Sequence, residues 1–473
     1  MRDYSIQVKP FQFLAYDLIE VNIEPNKHGT ATVIGLIAEN KCNAYLASGG
    51  SDTIVTICGI GESGQEEIVF EGIIDALDIE YEADVYKMKL NLITSSVLMD
   101  MVEHTRTFQN PAFTYTNILD FYDYYPQYNY VMAEQDKAIE NMIVQYKETD
   151  WAFLKRIASH FNTFIFPDPT SSNVRYHFGM PECRGKKTFN PYEYTLKKGL
   201  DEYTYKKENG VKGIVEADFI YIEVNDREIH RMFEVVEFSG RNLYIGRIQS
   251  RLHQGELLHT YTLKTKDAFK TVHYYNHKLT GASLEGVISD VTSDIVMVDL
   301  FTDHGNTLPS SARWLPYSTV YSTPDGTGWY AMPEINDRIR LYYPTDNDKE
   351  GYVINSVHLE TSSGLRTNPD YKSIRNKYDK EVKFTPTTLT MTNHKGMTIR
   401  IDDDFGITVE SDKEILVKAA ENLTMISETD NIYALAQEQI CLVRGETSLV
   451  MDDNIVSTGQ EIVVQGVVGM DEN

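Results

Sequence analysis

From residue 389 onward the chain carries two apolar residues, one apart, in a pulse that returns after about eight positions. The series runs Leu389/Met391, Met397/Ile399, Ile407/Val409, Ile415/Val417, Leu423/Met425, Ile432/Ala434, Ile440/Leu442, Leu449/Met451 and Ile462/Val464. A fixed short period held over about 80 residues marks a repeat architecture. Positions i and i+2 face the same way only in extended backbone. The residues are those that suit strands, and the three-and-four spacing of a helix is missing. Short strands such as ITV, ILV and LTM, joined by corners such as ESDKE, KAAEN and ISETD, are the expectation.

Closure decides the architecture. One such unit spans at most about 26 Å of extended chain, one side and one corner of a prism. A lone chain would leave its apolar face wet and its strand edges unpaired. Three copies wound about a threefold axis solve both problems, each chain supplying one side per layer. The expectation is a trimeric β-helix, or β-prism, over 387–473. Its core is Ile407, Val409, Ile415, Val417, Leu423, Met425, Ile432, Ile440 and Leu442. With layers about 4.8 Å apart, nine or ten of them make a rod roughly 45 Å long. The alternative, a single-chain solenoid, normally needs about 20 residues or more per turn.

Charge and cysteines narrow the function. The 473 residues carry 44 basic and 70 acidic side chains, net −26, which repels nucleic acid and anionic lipid. From Met391 to the end the acidic excess is 16 to 5, as expected of a soluble, narrow rod. Cys42, Cys58, Cys183 and Cys441 lie far apart, which fits a reducing compartment better than a disulfide framework. The opening MRDYSIQVKPFQF has no apolar core segment, so export by a cleaved signal is not expected.

The rest reads as mainly β. We expect a first strand-rich module over 1–100 (TIVTICGI, EEIVFEGIIDALDIEYE, VYKMKLNLI) and a small α/β insert over 101–186. The insert is expected to be helical from Tyr115 to Phe161. Its clearest piece is ETDWAFLKRIASHF, with Thr149 or Asp150 as cap and Phe153, Leu154, Ile157, Ala158 and Phe161 as one stripe. A second strand-rich module follows over 187–275, then a five-stranded OB-type barrel over 276–360, built from SLEGVISDV, DIVMVDLF, DRIRLYYP and YVINSVHLE. The polar stretch 361–386 reads as a linker. The barrel lacks a basic groove, so no nucleic-acid partner is expected.

In this order of parts, QYKETDWAFLKRIASHFNTFIF resembles the helix-then-strand signature of VgrG and phage tail hub proteins. Its run Y-x-E-[ST]-D-[WF]-x-F-[LV]-x-R is held here by residues including Glu148, Asp150, Trp151, Phe153, Leu154 and Arg156. WYAMPEINDRIRLYYPTDNDKEGYVINSVH is similar to the family's OB-fold signature, with Pro333, Ile335, Asp337 and Ile339 in place, and Trp314 of SSARWLP fits the tryptophan strand of that barrel. The resemblance covers the whole chain. It implies tandem β-barrel hub modules with an insert, an OB barrel and a needle, forming a homotrimeric hub and spike at the tip of a contractile tail or injection system. The N-terminal half would form a pseudo-sixfold ring on the hexameric tail tube. Implied partners are tail-tube and baseplate proteins and, transiently, a target membrane, with room for a tip-capping PAAR-like protein and effectors. The particle would be made in the cytoplasm and driven outward on contraction.

There are departures. Valine–glycine repeats are nearly absent, only Val443/Gly445, Val464/Gly466 and Val467/Gly469 having that spacing. No lysozyme-like segment separates barrel from needle. Phage tail, tailocin, type VI and extracellular injection particle all stay open.

No catalytic, cofactor or metal site is assigned. Asp402–Asp404 and Asp452–Asp453 fall on corners, without the cleft glycosidase chemistry needs. His273 and His277 in HYYNH lack further zinc ligands. The tyrosine cluster 121–130, FYDYYPQYNY, fits the surface of the insert or a subunit interface. A non-enzymatic mechanical protein is the expectation. Its rivals are a trimeric tail fibre or adhesin, and a spike with cell-wall hydrolase activity.

Overall fold

Alternation writes the main sheet. In Thr30–Ile37 every second side chain (Ala31, Val33, Ile37) is buried, and Ala15–Ile23 does the same with Ile19, Val21 and Ile23. In the computed structural model, which describes residues 5–60, 65–183, 185–189, 193–303, 313–354 and 364–463, the chain is mainly β. It divides into two compact units, Met1–Leu359 and Glu360–Asn473. Several expectations fall outside the described residues: Val464 with the last two valine–glycine pairs, 310–312 of the tryptophan strand, the tail of YVINSVHLE after 354, and 361–363 of the linker.

In the first unit, strands from 1–100 and from 187–275 hydrogen-bond into one 12-stranded sheet. The seam is antiparallel, between Ala15–Ile23 and Arg241–His253, in register from Ile248↔Ile23 to Arg251↔Glu20. One apolar core, from Val8 and Phe70 to Phe233 and Tyr261, lies across the seam. The hairpin Glu66–Glu82 to Val85–Ile93 turns on Ala83 and Asp84, both at positive φ (49° and 62°), as a two-residue primed turn requires.

The insert is less helical than its sequence suggests. Between Tyr115 and Phe161 stand a short helix Tyr115–Asp120, strands Asn129–Met132 and Ile143–Thr149, and the helix Asp150–Ser159. Pro126, lacking an N–H, and Gln127 at φ 49° stop helix propagation between them. Thr149 caps the last helix, its Oγ1 accepting from Ala152 N at 3.2 Å. Phe153, Leu154, Ile157 and Ala158 form its buried stripe, and Phe161 packs just beyond its end.

Among residues 283–303 and 313–354, five strands form an antiparallel sheet ordered Leu315–Pro316, Ile295–Leu300, Ser283–Thr292, Arg338–Tyr342, Tyr352–Ile354. Met142 and Val144 of the insert complete its core beside Ile288, Val298 and Leu341.

In the second unit, Lys372–Arg375, Glu381–Phe384, Thr388–Thr392, Met397–Asp402 and Gly406–Ser411 form a five-stranded antiparallel meander. The first two strands lie within the stretch read as linker. Ile440–Arg444, Thr447–Met451 and Ile455–Thr458 form a three-stranded one. Residues 412–439 carry no strand and are all exposed.

Candidate functional site

The motif helix delivers its polar residues inward, into two charge networks. Arg156, 3% exposed, holds the insert to the five-stranded sheet. Its Nη2 donates to Val144 O at 2.6 Å and Glu148 Oε2 at 2.9 Å, its Nε donates to Glu148 Oε1 at 3.0 Å, and its Nη1 donates to Asp348 Oδ2 at 3.3 Å. The same Asp348 oxygen accepts from Val144 N at 3.0 Å. Burial opposes the guanidinium charge, but Asp348 and Glu148 more than offset it and hold the pKa above the usual range. A planar fork with several fixed acceptors is what arginine supplies and lysine does not.

Asp150, fully buried, accepts from Tyr124 Oη (2.5 Å), Tyr125 Oη (2.6 Å) and Gln145 Nε2 (2.7 Å). Arg106 stands 3.6 Å and His104 3.8 Å away. Burial, then Asp150, raise the Tyr125 pKa far above its ordinary value. Trp151 packs against the His28 ring, centroids 4.6 Å apart and planes tilted by 36°. Four of the five tyrosines in the cluster therefore serve the interior: Tyr122 is fully buried, Tyr124 and Tyr125 bond Asp150, and Tyr128 bonds Tyr176. Neither Asp348 nor Arg106 stands out in the sequence, and Tyr125 does so only as part of the tyrosine cluster. Asp348 lay in an acidic turn, and nothing local says that its partner is 192 positions away.

The sheet residues of the motif are modest by comparison. Asp337 Oδ2 accepts from Glu334 N at 2.8 Å and fixes the turn that begins Arg338–Tyr342, with Asn336 at φ 74°. Pro333 is half-buried on that turn, Trp314 is partly exposed, and its neighbour Arg313 reaches Gln109 O (3.1 Å) and Ile139 O (2.5 Å) of the insert. Replacing Asp337 by Ala is expected to cost about 1 kcal/mol, by Asn much less, in denaturant unfolding.

The corner carboxylates are turn caps. Asp402 Oδ1 accepts from Asp404 N (3.0 Å) and Phe405 N, and Asp452 Oδ1 from Asn454 N (2.9 Å). The two histidines of HYYNH part company: His277 Nδ1 pairs with Asp346 at 2.6 Å, while His273 stacks on His160 at 4.8 Å.

His160 and His259 give a pH prediction. Burial, then Arg156 and the neighbouring His273, push His160 down to about 2. Burial, then His230, push His259 down to about 4. Their folded pKa values lie below the unfolded one near ~6.5, so the unfolded chain takes the proton first as pH falls. Stability is full above about pH 6.5 and drops below it by about 1.4 kcal/mol per pH unit for each histidine, until pH reaches its folded pKa, about 4 for His259 and about 2 for His160. His230, where burial is outweighed by Asp226 and Glu234 so that its pKa is raised, works in the opposite sense. Melting temperature should fall between pH 6.5 and 4.5; a flat profile would contradict this.

In the second unit the register lines up two apolar rows on one face of the meander. One runs Ile374–Val382–Met391–Ile399–Val409, the other Phe384–Leu389–Ile401–Ile407. Most of these side chains are exposed, Ile407 to 73%. Ile415, Val417, Leu423, Met425 and Ile432 continue the series as exposed residues of 412–439, and Leu442 is exposed too, with Ile440 half-buried. ITV at 407–409 lies in a strand, but ILV at 415–417 and LTM at 423–425 do not, because a strand needs a hydrogen-bonded neighbour and the described residues offer them none.

No family model matches the chain, and no curated protein matches it. Solved structures do. The E. coli c3393 protein, described as a component of the type VI secretion system with structural similarity to T4 bacteriophage tail proteins gp27 and gp5, aligns with TM-score 0.50 at 10% identity, over 74% of this chain and 99% of that one. Two structures of a PdpA-VgrG complex, the half-lidded one from Francisella, align with TM-score 0.55 at 12% identity. The half-lidded form covers 86% of this chain and 88% of that one, the lidless form 86% and 98%. At such identities the likeness is one of fold alone: this chain shares its architecture with the c3393 protein and with the PdpA-VgrG complex.

Proposed function

We propose that the chain is the hub and spike of a contractile tail or injection system and works as a homotrimer without catalysing a reaction. Three octad segments, 387–473, wind into a closed prism that carries axial load to a target membrane. The OB-type barrel, 276–360, precedes it in the chain. The tandem modules 1–100 and 187–275, with the insert 101–186, build a pseudo-sixfold ring that fits a threefold hub to a hexameric tube. Tail-tube and baseplate proteins bind the ring, and the tip accepts a PAAR-like cap or effectors.

One observation carries the reading. A regular series of Ile, Leu, Val and Met lies uncovered along the second unit, far beyond what a lone soluble chain exposes in one place. Its period suits one side per layer, so two further copies of the same chain are the natural cover. Each large apolar side chain so dried contributes about 1.5–3 kcal/mol. The fold shared with type VI and phage tail proteins supports the setting.

Light scattering of the purified protein should return three times 54.1 kDa. A monomer whose C-terminal quarter is protease-sensitive would defeat the proposal, and release of peptidoglycan fragments would defeat its non-enzymatic part.

A further inference from the structure

A cavity of about 400 Å³ lies in the first unit beside Gly246, within the size range of small-molecule sites. Its charged lining is Glu24, Glu202, Glu223, Lys206, Arg247 and Lys264. Every carboxylate there already has a cation in contact: Glu24 with Lys27 at 2.6 Å, Glu223 with Lys197 at 2.6 Å, and Glu202 with Lys206 at 2.7 Å. Glu202 also accepts from Tyr221 Oη at 2.5 Å.

Two cations are paired only at arm's length. Arg247 Nε is buried with no hydrogen-bond partner among the described residues, and its nearest carboxylate, Glu24, is 4.0 Å away. The Lys264 ammonium makes no hydrogen bond among the described residues. It stands 4.0 Å from Glu202 and 4.2 Å over the Tyr221 ring. Burial lowers its pKa against the pull of Glu202, as for a cation without full compensation.

The backbone is arranged around this pair. The register between Arg241–His253 and Glu256–Lys264 shifts between Ile245 and Arg247, a bulge of the kind that re-aims a side chain. A Cβ on Gly246 would meet Phe269 Cζ at 3.0 Å and Lys264 Cδ at 3.1 Å, so glycine leaves the lysine stem its room.

We propose that this cavity binds a small carboxylate-bearing ligand, clasped by Arg247 and Lys264, with the Tyr221 and Tyr274 rings against its carbon skeleton. An arginine fork and an ammonium converging on one carboxylate form charge-assisted hydrogen bonds, the strong class. The carboxylate comes either from a free small acid or from an acidic side chain of another protein. The site stands whether or not the chain is a hub.

Isothermal titration of the purified full chain separates these sources, with succinate as the free acid and N-acetylglutamate amide as the side chain, both against sodium chloride at equal ionic strength. One site per chain should saturate with at least one probe. Arg247→Gln and Lys264→Gln should each weaken binding about tenfold or more. The Arg247 side chain is 41% exposed, so that variant keeps its fold, checked by circular dichroism, and decides the matter if the lysine variant does not. Saturation by neither probe, or binding unchanged in Arg247→Gln, overturns the assignment.

Discussion

With Ile415 and Leu423 both replaced by Asp, the protein is expected to elute at 54.1 kDa instead of three times that mass. In a lone chain both side chains are exposed, Ile415 to 54% and Leu423 to 59%, and touch no core. Surface substitutions of that kind change stability by about 0.5 kcal/mol or less. In a closed prism the same two positions from three chains meet in the dry interior. Six carboxylates would then have to be buried together or protonated, each at a cost of several kcal/mol. The two readings therefore differ by an all-or-none change in mass. Circular dichroism should show the sheet of the first unit intact. If the double variant kept its mass, the octad series would have some other cover and the prism would be wrong.

The second large effect belongs to Arg156. Arg156→Met removes the cation and leaves the partly buried Glu148 and Asp348 without their shared partner, which costs up to about 3 kcal/mol. The chain has several folding units, so one unfolding midpoint would blur the result. Amide hydrogen exchange reads it locally. Val144 N–H, bonded to Asp348, should exchange up to about a hundredfold faster, a factor equivalent to about 3 kcal/mol. Arg156→Lys should recover only part, since an ammonium cannot reach Val144 O, Glu148 and Asp348 in one plane. Replacing Arg156, Glu148 and Asp348 together by Met, Gln and Asn should recover more than Arg156→Met alone, because no charge is stranded. Equal exchange in wild type and Arg156→Met would show that the junction is held by apolar packing of Met142 and Val144.

What could be read from the sequence was local. Helix Asp150–Ser159 was legible because its cap, Thr149, and its stripe from Phe153 to Ala158 lie within ten positions. The octad pulses were legible because they repeat. The strand within the insert is not legible, since the alternation of Ile143–Thr149 is short and its pairing partner, Glu103–Phe108, lies some way upstream. The joining of the two N-terminal strand sets in one sheet rests on pairs such as Ile248↔Ile23, which no local pattern announces. For the same reason the motif marked Arg156 and Asp150 without revealing what they bind. Asp348 and Tyr125 become their partners only once the chain has folded back on itself.

The meander of the second unit has a kinetic consequence. Each of its five strands bonds the one next to it in sequence, across short turns, so ring closure removes little chain entropy. Hairpins of this sort zip up within about 1–10 μs, long before a second polypeptide can diffuse to them. Residues 412–439 have no such internal template, and in the proposed trimer they take shape only at the encounter. Dilution would therefore retard that last step alone, and the stretch that locks the three subunits together would be the youngest part of the finished particle.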